Sequence, residues 1–278
     1  NRVIRVTDCT KEKGPKSMKQ VWNSFRLAFS MYSVVPARQV EKTKDNMKYI
    51  LCFVPWVGAI IAFLITEWRI VHPYLLDYEF LRSVVCVMIP LLLSGGAYMD
   101  GFFRTVDALS SHQPRKGKLE ILQDSHSGYF AIITCVSYFL IIVGLWSEMP
   151  IDGWPVVSLG FILSRSLYGL SIIWFRHSQT SKCTLYVPEG RTKLIVAAVL
   201  ILYIAACAFF MLRMNLVVGI GCLAGALIAF LYYCWVAFKH FGGITEDIAS
   251  FFVQVCEILI PLVALLIYRM PMDLNNYL

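Results

Sequence analysis

The chain has 278 residues, of which 58% are hydrophobic and 15% charged, with a formal net charge of +7 and a mean hydropathy of +0.64. Soluble domains carry roughly 45–50% apolar and about 25% charged residues, so a soluble globule, a disordered chain and a disulfide scaffold are excluded. The apolar runs are long and continuous, not alternating, which excludes a membrane barrel and leaves an all-α polytopic membrane protein, since helices satisfy their own backbone in hydrocarbon.

Residues 1–17 read as a polar lead. Met18–Met31 follows, with Val21, Trp22, Phe25, Ala28 and Phe29 at helical spacing and Lys19 and Arg26 off that face. This predicts an interfacial helix on the cytoplasmic leaflet, within a lead of residues 1–48 that precedes one transmembrane domain, 49–278. Crossing a bilayer takes roughly 20 apolar residues. Seven stretches qualify or nearly so: Tyr49–Thr66, Leu81–Met99, Tyr129–Trp146, Trp154–Phe175, Leu194–Leu212, Leu216–Phe238 and Ile248–Tyr268.

Lys and Arg crowd alternate connections. They are dense before the first span, then come Arg104, Arg115, Lys116 and Lys118 after the second, and Arg176, Lys182, Arg191 and Lys193 after the fourth. The opposite segments hold Arg69, none, Arg213 and Arg269. The positive-inside rule then sets the N-terminus in the cytoplasm. This distribution accounts for the net charge without nucleic acid. The nine Cys are scattered, form no CxxC, and mostly lie inside apolar runs, as small buried hydrophobes do.

The acids gather on the same face. Asp100, Asp107, Glu120 and Asp124 lie between spans two and three, and Glu246 and Asp247 just before span seven. Carboxylates with Arg and Lys among them suit a divalent metal and a phosphorylated substrate. In the first cluster Asp100, Arg104 and Asp107 fall on one helical face at i, i+4 and i+7. The preceding Gly95-Gly96 permits close backbone approach. Arg104 is then expected to pair with one of the two acids. These acids read either as metal ligands or as the solvated end of a span. In the second cluster, Asp124 or Ser125 reads as a helix cap or as a ligand. In the third, Gly242-Gly243 before Thr245-Glu246-Asp247 reads as an N-capped helix start or as a phosphate loop. Arg165 and Glu257 each lie about ten residues inside their spans, roughly 15 Å deep at ~1.5 Å per residue. Charges there usually pair, so an Arg165–Glu257 ion pair between spans four and seven is expected.

Taken together these segments resemble the cobalamin synthase family, the adenosylcobinamide-GDP ribazoletransferases. The residues that carry the likeness are Ser33-Val34-Val35-Pro36, Gly95-Gly96 with Asp100-Gly101 and Thr105-Val106-Asp107, Glu120-Ile121 with Asp124-Ser125 and Gly128, Ser164-Arg165, and Gly242-Gly243-Ile244-Thr245-Glu246-Asp247 with Glu257. The match runs in register from about Phe25 to the C-terminus. Tyr98 stands where the family has His, Arg104 where it has an Asp, Ala108 and Glu246 where it has Gly, and Gln254 where it has an acid. The Arg104 change removes one candidate ligand and sets a fixed cation beside the two that remain.

The resemblance implies a phosphoryl transfer at the cytoplasmic face of the cell inner membrane. Adenosylcobinamide-GDP is joined to α-ribazole, or its 5′-phosphate, with loss of GMP. It implies Mg²⁺ held by Asp100, Asp107, Asp124 and Asp247, which are also the candidate catalytic residues. Substrate contacts are expected from Arg104, Ser125, Arg176, Arg191, Gly242 and Gly243, with His177, Lys182 and Lys193 on the same face. The partners are the corrinoid nucleotide, α-ribazole and the lipid bilayer, with no nucleic acid and a homo-oligomer left open. Two other readings stand beside this one. A CDP-alcohol-type phosphotransferase shares only Asp100-Gly101 and Arg104 of its motif. A transporter would place charges at midplane, as Arg165 and Glu257 are.

Overall fold

A computed structural model describes residues 16–34, 40–75, 78–123, 128–178 and 187–270. In chain order the helices are α1 (Lys16–Tyr32), α2 (Lys44–Met47), α3 (Ile50–Leu75), α4 (Glu79–Ser94), α5 (Ala97–Ser110), α6 (Arg115–Ile121), α7 (Tyr129–Glu148), α8 (Trp154–Ser158), α9 (Gly160–Trp174), α10 (Gly190–Met214), α11 (Leu216–Val236) and α12 (Glu246–Arg269). Six segments are long and apolar enough to cross a membrane, namely α3, α7, Ile151–Trp174, α10, α11 with its continuation to Phe241, and α12. The pair α4 and α5 would make a seventh. Six of the seven expected spans therefore have a counterpart, and the second, Leu81–Met99, corresponds to the bent pair.

Large apolar side chains point outward along these helices, among them Ile133 and Leu140 on α7, Leu202 and Phe209 on α10, and Leu227 and Leu231 on α11. Patches of this size are foreign to a water-facing surface. They are what a helix presents to lipid. Within the bundle α12 is the hub, packing on α5, α7, α9 and α11.

The expected second span is not one straight helix. It ends at Ser94, and α5 leaves at 94°. The corner is Gly95-Gly96, with φ of +60° and +75°. Gly95 donates its N–H back to the last turn of α4, the usual left-handed helix stop. These glycines therefore supply backbone sign, and Gly95 also the close approach read from the sequence, since a Cβ there would lie 2.9 Å from Val34 Cγ2. α5 itself is continuous, so the one-face spacing of Asp100, Arg104 and Asp107 holds.

The N-terminal helix is as expected in place but different in its facing. Leu27, Ala28, Phe29 and Tyr32 are buried, and α1 packs on α3. Val21 and Trp22, two of the five residues of the expected apolar face, remain exposed, as does Met18. The buried stripe is shifted because the helix has two apolar neighbours, the bundle on one side and a lipid-like face on the other.

The two deep charges do pair. Arg165 Nη2 lies 3.2 Å from Glu257 Oε1, and the residues are 1% and 8% exposed. Tyr138 donates its hydroxyl to the second carboxylate oxygen at 3.2 Å. Arg165 also donates to the Phe161 carbonyl at 3.1 Å and lies 4.8 Å from the Tyr98 ring centre. Seven cysteines fall among the described residues, all free and six of them buried.

Candidate functional site

The connections at one end of the bundle are tied to each other by hydrogen bonds. Ser178 donates its N–H to the Ile244 carbonyl (3.1 Å), and Ile244 donates to the Arg176 carbonyl (3.0 Å). This short parallel bridge holds the segment after α9 against the segment before α12. Lys118 of α6 reaches His240 Nδ1 at 3.2 Å. Thr245 caps α12, accepting from the Ile248 N–H at 3.2 Å. The Thr-Glu-Asp start therefore is an N-capped helix, as one of its two readings held.

α5 crosses α12 at Gly101. A Cβ built there would lie 2.6 Å from Ser250 Cβ and 3.0 Å from the Asp247 backbone. Only a residue without a side chain allows that contact. Its consequence is that Asp100 and Arg104, on α5, come beside Asp247 at the start of α12. Asp100 and Arg104 form a two-point ion pair, Nη2–Oδ2 2.9 Å and Nε–Oδ1 3.2 Å. The Arg104 guanidinium also donates to the Leu122 carbonyl at 3.5 Å. Asp247 is half-buried and within electrostatic reach of Arg104, Asp100 and Glu246. No other side chain among the described residues hydrogen-bonds its carboxylate.

Asp107 is employed differently. Its buried carboxylate accepts the Gly128 N–H and, at 3.3 Å, the Ala131 N–H. It therefore caps the start of α7 from a neighbouring helix, satisfying amides that α7 cannot satisfy itself. Asp107→Ala is expected to cost about 1–2 kcal/mol, the usual range for a lost cap. Asp107→Asn keeps an acceptor and should retain most of the stability. Thermal unfolding in detergent measures both; equal losses for the two variants would contradict the capping role.

A divalent cation needs several oxygen ligands. Among the described residues no three His, Cys, Asp or Glu side chains stand together so as to hold one. Asp107 is turned to backbone amides, and Asp100 to Arg104. Of the expected set of Asp100, Asp107, Asp124 and Asp247, the three described members are thus not gathered into a metal site among the described residues. Asp124 and Ser125 lie outside the described residues.

A basic cleft of about 500 Å³ is lined by Arg115, Lys116, Leu119, Arg176, His177, Ser178, Phe238 and Gly242. Arg176 and Gly242 were expected at a substrate site. Gly243 lies behind it, its Cα crowded by the Arg176 carbonyl at 2.7 Å from a built Cβ. Arg191 is exposed at the start of α10 and does not line the cleft. Arg115 and Lys116 were legible only as positive-inside charges; nothing in their spacing marked them as cleft residues.

A family described as cobalamin-5-phosphate synthase matches residues 24–265 of the chain. An adenosylcobinamide-GDP ribazoletransferase of Lachnoclostridium phytofermentans is 34% identical over 239 residues, 85% of this chain and 91% of that protein. One from Clostridium botulinum is 28% identical over 244 residues, 87% of this chain and 96% of its own length. One from Clostridium perfringens is 29% identical over 245 residues, with 86% and 96% covered. No solved structure matches the chain.

Proposed function

This chain belongs to the cobalamin-5-phosphate synthase family, and we propose that it joins adenosylcobinamide-GDP to α-ribazole, or its 5′-phosphate, with release of GMP. It is thus an adenosylcobinamide-GDP ribazoletransferase, a membrane-embedded transferase of cobalamin assembly, as its relatives' names describe. The charged end of the bundle is its cytoplasmic face in the cell inner membrane. The density of Lys and Arg there supports this. The observation that carries the reading is the α5–α12 crossing at Gly101, which brings Asp100 and Arg104 to Asp247.

In the reaction a ribose hydroxyl of α-ribazole attacks the cobinamide-linked phosphorus. The new O–P bond forms as the bridging P–O bond breaks, and GMP leaves. Such transfers depend mainly on positioning and on charge placed near the phosphoryl oxygens. Arg104 is the guanidinium nearest the carboxylates, and a phosphate would compete with Asp100 for it. Asp247 is neither ion-paired like Asp100 nor turned to the amides of another helix like Asp107. In this reading it accepts the hydroxyl proton.

The test is GMP release from adenosylcobinamide-GDP and α-ribazole by purified protein. Asp247→Asn should lower turnover by about 10²–10⁴-fold, the usual worth of a positioned acid or base. Wild-type turnover in that variant would remove Asp247 from the chemistry. The same assay in chelator decides the magnesium expected from the resemblance. Retained release leaves Arg104 and the cleft cations as the charges that meet the phosphates. Release lost and then restored by Mg²⁺ requires Asp100 to leave Arg104.

A further inference from the structure

We infer that the basic cleft between α6, the segment Arg176–Ser178 and Gly242 is an anion subsite that holds the phosphates of the nucleotide half of the substrate, and of GMP after transfer. The inference rests on the transferase reading for the identity of the nucleotide. It does not rest on it for the phosphate chemistry.

Among the described residues three cations line the cleft, Arg115, Lys116 and Arg176, and no carboxylate does. Among the described residues none of the three side chains forms an ion pair or a hydrogen bond with the protein. Cations set around one concavity repel each other and gain from a shared anion. Arginine fits phosphate oxygens two at a time.

A Cβ on Gly242 would overlap the end of the Arg115 side chain, so Arg115 stands at the left-handed backbone turn there, φ +68°. That turn follows a π-helical turn, Ala237–Phe241, closed by the Gly243 N–H on the Ala237 carbonyl (3.2 Å). Turns of this type recur at functional sites. Opposite, His177 is anchored by its Nε2 on the Ile172 carbonyl at 2.9 Å, while its buried Nδ1 has no partner. Leu119 and Phe238 complete the wall with apolar surface. Cations for phosphate beside an aromatic ring for a base are the two parts a nucleotide requires. Gly242 is five residues before Asp247 in the chain.

Lipid headgroups carry the same phosphate chemistry, so the experiment separates the two. Isothermal titration uses the full chain in neutral-lipid nanodiscs with GMP, guanosine and inorganic phosphate, and again with anionic lipid present. GMP should bind, weakening as salt rises, and guanosine should bind at least tenfold more weakly. Arg115→Ala with Arg176→Ala should lower GMP affinity at least tenfold without changing the unfolding temperature. Gly242→Ala keeps every charge but displaces Arg115, and should weaken GMP as well. Wild-type GMP affinity in the double variant overturns the subsite. So does GMP binding that disappears whenever anionic lipid is supplied, since the cations then serve headgroups. A protein that binds GMP through these residues but releases none from adenosylcobinamide-GDP leaves the subsite standing and overturns the transferase reading. Normal turnover with an unchanged KM in the double variant does the reverse.

Discussion

Glu257→Ala is expected to destabilise the bundle by about 3–5 kcal/mol, the cost of leaving a buried charge without its partner. The carboxylate is the shared acceptor of Arg165, at 3.2 Å, and Tyr138, at 3.2 Å. Without it the guanidinium keeps the Phe161 carbonyl and the Tyr98 and Phe161 rings, and no counter-charge. The Tyr98 hydroxyl, which lacks a partner, can accept from the guanidinium but brings no counter-charge. The pair borders a small cavity shared with Ser94, Met99 and Gln254, with room for about one water beside the orphaned charge. Arg165→Ala should cost a similar amount. The double variant should lose far less than the sum, because removing both leaves no unpaired charge. Unfolding in detergent, by heat or denaturant, reads all three, and additive losses would show that the two residues act separately.

Gly101→Val should damage activity more than stability. The added Cβ meets Ser250 Cβ at 2.6 Å and the Asp247 backbone at 3.0 Å. Neither is the end of a flexible side chain, so α5 and α12 must part. Overpacking of this kind costs about 1–3 kcal/mol, which the α12 packing on α7, α9 and α11 should absorb. The same displacement moves Asp100 and Arg104 away from Asp247. A misplacement near 1 Å is worth about 10²-fold in rate, so GMP release should fall by at least that factor in protein that remains folded. Gly101→Ala should lie between wild type and Val in both measures. Full turnover in Gly101→Val would mean that the crossing does not set the reacting geometry.

Arg104 shows how far the sequence reaches into the site. Its pairing with Asp100 follows from i, i+4 spacing on one helix, which is local. The partner of Asp107 could not be read in that way. It is the start of a helix twenty-one residues further on, reached only because the chain between them turns back. Arg115 and Gly242 are farther apart again. Their contact exists because α6 and the turn after α11 meet at one end of the bundle.

The sequence by itself determined the membrane class, the seven apolar segments and the crowding of cations on alternate connections. Each of these depends on composition or on a run along one helix, and needs no knowledge of neighbours. It also determined the Arg165–Glu257 pair, because depth in hydrocarbon is fixed by counting residues and two buried charges of opposite sign have few other partners. The tertiary structure decided which acids are free. Gly95-Gly96 turned the second span through 94°, Gly101 pressed the turned helix onto α12, and Asp107 was drawn to the amides of α7. Contacts between segments distant in sequence depend on backbone sign and on side-chain volume at a crossing. A glycine in a sequence shows that such freedom is available, and only the packed helices show whether it is used for a corner or for a contact.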